Sequence, residues 1–193
     1  MDAHVRSVGS VIRRATIGTM QSRNPTILSK YFYYAKSVAT LLTGFRRPLN
    51  ILRLFLRFPG SVPQTIELRR LGLKFVVRSP MEAWIIKETC LDRQYLRKIP
   101  RLGEDWSVID VGAAAGDFTV LAASTCTKGV VIACEPHAES FPRLLHHLKL
   151  NGINNVQPLN LAVHPTATKL SLSNAAVERT AAQFHERCDG TSV

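Results

Sequence analysis

From residue 101 onward, short apolar runs alternate with stretches whose apolar residues recur at helical spacing. The runs predict buried strands at Val108–Val111, at Val130–Cys134, within Val156–Val163 and around Lys169–Ser171. The helical spacing predicts helices at Asp117–Ser124 and Ser140–Leu150. Strands that alternate with helices form parallel sheets through right-handed crossovers. The pattern therefore predicts an α/β fold with a doubly wound parallel sheet over residues 101–173.

The segment 61–100 has a different pattern, which we interpret as a hairpin and a helix that precede the sheet. Strand-forming residues at Thr65–Leu68 and Leu73–Val77 flank Leu71-Gly72, a dipeptide that favours a turn. Pro80 then opens a stretch of helical spacing that reaches about Ile99. The apolar positions of this helix predict one buried face: Trp84, Ile85, Cys90, Leu91 and Tyr95.

Residues 1–60 form a basic leader that we predict to be partly disordered and partly helical. Residues 1–29 show weak periodicity and are expected to be poorly ordered. Lys30–Phe58 has helical spacing, which Pro48 divides into two helices. Its apolar residues fall within an arc of about 100°: Leu41, Leu42, Phe45, Leu49, Leu52 and Leu56, bordered by Arg46, Arg53 and Arg57. Such a face fits a membrane surface, or packing against the chain's own domain or a partner.

The formal net charge of +11 is concentrated in this leader. Residues 1–60 contain ten Lys and Arg against one acid, whereas residues 61–193 contain 15 Lys and Arg against 13 Asp and Glu. Basic blocks attract polyanions and anionic membranes, yet no aromatic-interleaved or helix-turn-helix pattern accompanies this one. We therefore expect no nucleic-acid partner and interpret the charge chiefly as solvated.

Cysteine usage and hydropathy indicate the cellular compartment of the protein. The four cysteines are Cys90, Cys126, Cys134 and Cys188, and no two of them form a Cys-x-x-Cys pair. Neither a zinc site nor a disulfide framework is predicted, and each cysteine is expected to be a small buried residue. No stretch of about 18 uncharged apolar residues occurs, and the N-terminus lacks the apolar core and cleavage site of a secretory signal. These features predict a cytoplasmic location.

Candidate chemistry lies where the first two strands of the predicted sheet end. Nucleotide-like ligands bind doubly wound sheets at the carboxyl ends of the strands. The first strand runs into Gly112-Ala113-Ala114-Ala115-Gly116, small residues that let a ligand approach the backbone closely. Glu135 ends the second strand 19 residues after Gly116, where an acid can accept hydrogen bonds from both ribose hydroxyls.

Asp110, just before this loop, discriminates between ligands. Its carboxylate would repel a pyrophosphate, and Gly112 and Gly116 lack the spacing of the dinucleotide fingerprint. An ammonium group would be attracted, and S-adenosylmethionine combines an amino-acid tail, a sulfonium and a ribose. We therefore predict S-adenosylmethionine as the cofactor. The alternative is a structural role, in which Asp110 caps the loop and Glu135 caps a helix.

Several motifs in order resemble the FkbM family of class I S-adenosylmethionine-dependent methyltransferases. They are Val108 to Thr119, Glu135-Pro136, Ser140-Phe141, Leu148 to Asn155 and Asn160 to Val163. The resemblance spans about Pro80 to Ser173. It implies a Rossmann-like fold and O-methyl transfer to a hydroxyl, often on a sugar or a secondary metabolite.

The resemblance also implies which residues hold the cofactor. They lie in the loop and at the strand ends: Asp110, Gly112, Ala113, Gly116, Phe118, Glu135, Pro136, Asn160 and Ala162. Asp110 and the two glycines would contact the methionine part and Glu135 the ribose. Asn160 and Ala162 would lie near the adenine. No catalytic base is indicated, because His137 and His164 stand beside prolines near strand ends and are interpreted as surface residues.

The resemblance ends before the chain does. Family members continue through four more strands, one with an aspartate-x-glutamate-glycine segment that faces cofactor and substrate. Nothing in residues 174–193, predicted to be an irregular tail, matches that segment. We therefore expect only the first half of the fold, with the strand of Asp110 left as an exposed apolar edge. Such a chain would self-associate or need a complementing chain to be active. The alternative is a non-catalytic remnant or interaction module.

Overall fold

The computed structural model describes residues 27–96, 101–163, 170–173 and 183–186, with side chains described in 36–96 and 101–163. The elements in chain order are α1 (Ile27–Gly44), α2 (Pro48–Phe55), β1 (Gln64–Glu67), β2 (Lys74–Val77), α3 (Pro80–Ile86), a π-helical turn (Lys87–Leu91), a 3-10 turn (Gln94–Leu96), β3 (Val108–Val111), α4 (Asp117–Thr125), β4 (Val131–Cys134), α5 (Ser140–Leu150), β5 (Val156–Leu159), β6 (Leu170–Ser173) and β7 (Gln183–Glu186). No helix in these ranges is long and apolar enough to cross a membrane.

Strands β3, β4 and β5 form a parallel sheet in that order. The register places Val108 opposite Val131 and Val131 opposite Val156. These three valines pack with Ala122 and Ala123 of α4, so α4 covers one face of the sheet. The predicted α/β class with a Rossmann-like parallel sheet is confirmed, in the form of three adjacent strands joined through α4 and α5.

The other face of β3 is open. Within the described ranges β3 pairs with β4 and with no other strand. Ile109 and Val111, which point away from α4, are 68% and 60% exposed. We call these two side chains the open face of β3. Parallel sheets are normally covered on both faces, so two exposed β-branched residues in the first strand are unusual.

The hairpin of β1 and β2 packs on the sheet domain through α5. The two strands pair antiparallel, and Gly72 adopts φ +67° in the turn between them, as predicted. Phe75 and Val77 are fully buried. The side chain of Asn151, at the end of α5, donates to the carbonyl of Lys74 and accepts from its N–H, both at 2.8 Å. This amide completes the edge of β2 as another strand would.

Helix α3 begins as predicted but ends earlier. Ser79 caps its N-terminus, because Ser79 Oγ accepts a hydrogen bond from the Glu82 N–H at 3.2 Å. Glu82 also forms a 2.6 Å ion pair with Arg143 of α5. The regular helix stops at Ile86 and widens into the π-helical turn, so the prediction of one helix to about Ile99 is wrong. Residues 97–100 lie outside the described ranges.

The π-helical turn holds a buried lysine that fastens α1 to the domain. Lys87 Nζ donates to Ser37 Oγ of α1 at 2.7 Å and lies 2.7 Å from Asp92 Oδ2. The same ammonium lies 4.5 Å above the ring of Trp84. Lys87 is fully buried, which is tolerated because its charge is paired and hydrogen-bonded.

The leader forms two helices divided at Pro48, as predicted. The predicted apolar arc is not a single buried face, however. Leu41 and Phe45 are buried, whereas Leu49 is 71% exposed. In α2 the buried residues are Ile51 and Leu54, on the side of the helix opposite Leu49. Packing against the chain's own domain, one of the two alternatives for the arc, therefore applies to Leu41 and Phe45 and not to the leucines of α2. The prediction of poor order covers residues 1–29. Of these, residues 1–26 lie outside the described ranges, and Ile27 begins α1.

Strands β6 and β7 pair with each other and form a separate two-stranded antiparallel sheet. The strand predicted around Lys169–Ser171 is present as β6 (Leu170–Ser173), but the prediction that the parallel sheet continues to it is wrong. Strand β7 (Gln183–Glu186) lies in the segment predicted to be an irregular tail, so that prediction is wrong there. Cys90, Cys126 and Cys134 are free and buried, as predicted. Cys188 and His164 lie outside the described ranges.

Candidate cofactor site at the ends of strands β3 and β4

The glycine loop after β3 is tied to the end of β4. The backbone N–H groups of Gly112 and Ala113 both donate to the carbonyl of Cys134, at 2.9 and 3.0 Å. This brings together the two strand ends that the sequence marked out separately. The predicted loop residues and Glu135 therefore line one region of the structure.

The two glycines of the loop serve different needs. Both are left-handed, with φ +76° at Gly112 and φ +87° at Gly116, a conformation that glycine adopts without steric cost. A Cβ on Gly116 would collide with Leu144 Cδ1 of α5, so this glycine permits helix packing. A Cβ on Gly112 would meet no atom within 4 Å. Open space beside a left-handed glycine is where a ligand can approach the backbone.

Glu135 holds the loop from beneath. Its carboxylate is buried, and Oε2 accepts a hydrogen bond from the Ala114 N–H at 2.6 Å. Oε1 accepts from the His137 N–H at 2.8 Å. Ala114 is itself left-handed, with φ +48°, which costs a residue with a Cβ about 1–2 kcal/mol. The bond to Glu135 offsets part of that cost. Glu135 thus caps the glycine loop and not a helix, since α5 begins at Ser140 without a side-chain cap.

Asp110 lies at the same strand end with its side chain turned toward α4. Its Oδ2 accepts a hydrogen bond from Thr119 Oγ1. Burial raises the pKa of Asp110, and the charges of Asp117 and Glu135 raise it further, while the bond from Thr119 lowers it. Asp110 therefore lies within electrostatic range of both Asp117 and Glu135. We call Asp110, Asp117 and Glu135 the carboxylate cluster.

Asp117 is the member of the cluster that was not predicted from the sequence as a site residue. It begins α4, and its Oδ2 accepts a hydrogen bond from Thr89 Oγ1 at 2.6 Å. Burial raises its pKa, against the lowering effect of that bond and of backbone N–H groups. Burial and the charge of Asp117 also raise the pKa of the neighbouring Cys90 thiol. Cys90 is consequently a protonated core residue and not a nucleophile.

The carboxylate cluster does not form a metal site. No group of three His, Cys, Asp or Glu side chains in the part of the chain that the structure describes is arranged to hold a metal ion. Its members are instead held apart by separate donors from Thr89, Thr119 and the loop backbone. The cluster places its carboxylates at the end of β3, the start of α4 and the end of β4, the three element ends that flank the glycine loop, and this favours a cationic ligand.

His147 supports the loop from α5 and was not predicted from the sequence. Its Nε2 accepts a hydrogen bond from the Val76 N–H at 3.0 Å, so the proton of the neutral ring is on Nδ1. Nδ1 then donates to the Ala115 carbonyl at 2.7 Å. Burial lowers the pKa of His147, so the neutral ring is favoured at neutral pH. The only sequence signal was its helical spacing from Leu144.

An aromatic pair stands at the start of α4. The rings of Tyr95 and Phe118 lie 5.6 Å apart at an interplanar angle of 58°. Tyr95 is 67% exposed, so its predicted place on a buried helix face is wrong. Partial desolvation raises the pKa of Tyr95, and the charges of Asp117, Asp110 and Glu88 raise it further. Through its contact with Phe118, the Tyr95 ring lies next to the start of α4, where Asp117 stands.

The remaining predicted residues follow β4 and β5. Asn160 Nδ2 donates to the Glu135 carbonyl at 2.8 Å and ties the ends of the two strands together. Ala162 and Pro136 are half-buried beside them. His137, interpreted from the sequence as a surface residue, is half-buried, and its Nδ1 accepts from the Glu139 N–H at 3.2 Å. No side chain at these positions is placed as a general base.

No protein-family model matches the chain, and no curated protein does either. Solved structures do match parts of it. M. jannaschii TYW2 in complex with AdoMet is 27% identical over 51% of this chain and 43% of that one, with a TM-score of 0.38. A SAM dependent methyltransferase from Aquifex aeolicus is 23% identical over 42% and 44%, with a TM-score of 0.36.

Coclaurine N-methyltransferase bound to N-methylheliamine and SAH is 14% identical over 75% of this chain and 40% of that one, with a TM-score of 0.34. The chain thus spans less than half the length of each of these three structures. At such TM-scores, the assignment of a ligand rests on the geometry of the chain's own residues.

Proposed function

We propose that the chain binds S-adenosylmethionine between the glycine loop and the ends of β4 and β5, as part of an S-adenosylmethionine-dependent O-methyltransferase. The observation that carries the proposal is the open space at Gly112, in the glycine loop that the carboxylate cluster flanks. A loop of this shape admits a ligand to the backbone. The cluster then selects a ligand that carries positive charge.

Charge decides between the two ligand classes that such loops bind. A dinucleotide would place a pyrophosphate at the start of α4, where Asp110 and Asp117 would repel it. S-adenosylmethionine carries an ammonium and a sulfonium, and both are attracted by the same carboxylates. The backbone and the charges therefore fit the methionine part of S-adenosylmethionine at Gly112 and Asp110, in agreement with the resemblance to the FkbM family.

The ribose and adenine would lie over Glu135, Asn160 and Ala162. Each carboxylate oxygen of Glu135 accepts one bond in the structure. An ionised carboxylate has about four acceptor positions, so two remain for ribose hydroxyls. Glu135 can thus hold the loop and a ribose at once.

In methyl transfer, the residues of the chain would chiefly bind the cofactor and orient it toward the acceptor. When bound, the cofactor supplies a methyl group on a sulfonium that is ready to leave. Asp110 and Asp117 would hold the positive end, and Glu135 the ribose, so that the methyl group faces an acceptor oxygen in line. The proposed acceptor is a hydroxyl of a sugar or secondary metabolite, an assignment that rests on the family resemblance. A cytoplasmic location is part of the proposal, supported by the buried free thiols.

The open face of β3 favours a second candidate, a non-catalytic interaction module. Ile109 and Val111 expose apolar surface that a parallel sheet normally buries. The same observation supports the proposal that another chain, or a second copy, must cover this face before methyl transfer occurs. Light scattering of the purified chain, followed by a methyl-transfer assay on sugar acceptors, separates these cases. A stable monomer that transfers methyl groups would contradict the need for a cover.

Isothermal titration tests the cofactor proposal directly. The chain is titrated with S-adenosylmethionine and, separately, with NAD⁺. We expect saturable binding of S-adenosylmethionine and no binding of NAD⁺. We also expect Asp110→Asn to weaken the binding of S-adenosylmethionine. Binding of NAD⁺ in preference, or no binding of either ligand by folded protein, would overturn the proposal. Asp105→Asn, an exposed acid before β3, is the matched control.

A further inference from the structure

Helix α2 is apolar on two opposite sides. Its inner side is buried, with Ile51 and Leu54 at 2% and 1% exposure. Its outer side carries Leu49, Leu52 and Leu56, which are 71%, 45% and 60% exposed. At 100° per residue these three leucines fall within about 60° of one another. We call them the outer leucine row.

The charged side chains from Arg46 to Phe58 are all positive. Arg53 lies about 40° from Leu49 around the helix, Arg47 precedes the helix and Arg57 follows it, and all three are exposed. The chain contains no acidic residue between Asp2 and Glu67. An exposed apolar row with charged residues at its rim marks an interaction surface, and the cover for the outer leucine row must accept both leucines and arginines.

A second copy of the chain is a poor cover. A two-fold contact through the row would place the arginines of one copy beside the same arginines of the other, and like charges at close range are repulsive. An anionic lipid surface has the opposite properties. Its acyl boundary accepts leucine side chains, and its headgroups attract arginines that lie at the same depth.

We propose that α2 docks on an anionic membrane surface, with the outer leucine row in the interface and Arg47 and Arg53 against the headgroups. The helix would lie in the plane of the surface and not cross it. Pro48 at its start and the left-handed Arg57 after its end, with φ +55°, keep it short and fixed to the domain. This surface does not involve the proposed cofactor site, and the proposal stands independently of methyl transfer.

Vesicle flotation tests the proposal with the full chain. The protein is mixed with vesicles of phosphatidylcholine alone or of phosphatidylcholine with phosphatidylserine, at low and high salt. We expect binding to the phosphatidylserine vesicles that weakens with salt. Leu49→Gln/Leu52→Gln/Leu56→Gln should lower the partition coefficient at least about tenfold. Arg47→Gln/Arg53→Gln should lower it about tenfold on anionic vesicles only.

The matched control changes three exposed apolar residues elsewhere: Met81→Gln, Val130→Gln and Leu145→Gln. Thermal unfolding confirms that each variant is folded. The salt dependence of vesicle binding is measured on the unchanged chain and therefore tests the proposal even if a variant does not fold. Equal binding of the row variant and the control variant would overturn the proposal, as would absence of binding to anionic vesicles. If the row variant converted a lipid-free dimer into a monomer, the outer leucine row would be a contact between two copies. That result would also overturn the membrane proposal.

Discussion

The carboxylate of Glu135 and the backbone N–H of Ala114 are joined by a 2.6 Å hydrogen bond across 21 residues of sequence. The bond fixes the glycine loop in the shape that leaves Gly112 open. Because the same carboxylate is the proposed ribose ligand, the shape of the loop and the occupancy of the site are coupled through one side chain.

Replacement of Glu135 should therefore affect two quantities. Glu135→Ala should weaken S-adenosylmethionine binding by about 1.5–3 kcal/mol, the usual effect of losing hydrogen bonds to a charged group. It should also lower the free energy of unfolding by about 1–3 kcal/mol, because the Ala114 and His137 N–H groups lose their acceptor. Titration and urea unfolding measure the two effects. Glu104→Ala, at an exposed position, is the control, and an unchanged affinity would remove Glu135 from the site.

The two loop glycines should respond differently to a methyl group. Gly112→Ala should cost about 1–2 kcal/mol of stability through its left-handed φ and should abolish cofactor binding. Gly152→Ala is the matched control, because Gly152 has φ +62° and open space but lies outside the site. Equal cofactor affinity in the Gly112 and Gly152 variants would show that the loop is only a connection.

Gly116→Ala should be the more destabilising change, because its Cβ meets Leu144. Addition of Leu144→Ala removes the colliding methyl groups and should restore part of the loss in a double-mutant cycle. Urea unfolding of the single and double variants measures this coupling. Additive losses would indicate that the backbone conformation, and not the collision, makes glycine necessary.

Cofactor affinity should fall at mildly acidic pH. The pKa of Asp110 is raised, so its carboxylate takes up a proton at a higher pH than an ordinary aspartate. A cationic ligand favours the ionised form, and affinity is therefore lost as the pH falls through that raised pKa. In titrations across the acidic range, Asp110→Asn should bind weakly throughout with a flatter pH profile. A profile identical to that of the unchanged chain would exclude Asp110 as the titrating group.

Stability should also depend on His147. Its pKa is lowered in the folded chain, so the unfolded chain binds the proton first. Stability is then full above the ordinary pKa of 6.5 and falls, by up to about 1.4 kcal/mol per pH unit, until the folded pKa is reached. His147→Gln should remove this slope in urea unfolding. His146→Gln, the exposed neighbour, should keep it.

Tyr95 should distinguish a sulfonium from a thioether if the proposed site is correct. Its ring lies next to the start of α4, where Asp117 stands, and an aromatic face attracts a cation by about 0.5–2 kcal/mol. Tyr95→Leu should weaken S-adenosylmethionine more than the neutral-sulfur product S-adenosylhomocysteine, whereas Tyr95→Phe should preserve the ratio of the two affinities. Titrations with both ligands give that ratio, and an unchanged ratio in Tyr95→Leu would place the sulfonium elsewhere.

The part of the fold that the sequence predicted is the part in which local pattern and tertiary environment agree. The β3 run of Val108 to Val111 and the helix Ser140 to Leu150 appear with the predicted bounds. Both are regular elements with one dominant apolar period. The end of α3 was mispredicted because the apolar spacing continues through Lys87, whose buried ion pair with Asp92 favours a wider turn.

The site was predictable only where a residue type has a distinctive local use. A glycine loop after a strand and an acid at the next strand end are such signals, and the structure brings Gly112 and Glu135 to one region. His147 has no such signal, because its importance comes from the backbone of Val76, 71 residues away. Long-range backbone partners leave no trace in spacing or composition.

The two hydrogen bonds between the Asn151 side chain and the Lys74 backbone affect the order in which the chain folds. The two residues are separated by 77 positions, so the edge of the hairpin has no partner until α5 has been made. At about 5–20 residues per second, synthesis leaves the hairpin incomplete for roughly 4–15 s. Contacts of such separation slow folding because the intervening loop must first close. During that interval Phe75 lacks its contact with the His147 ring of α5, and a ribosome-bound chain arrested before α5 is made should be a substrate for chaperones.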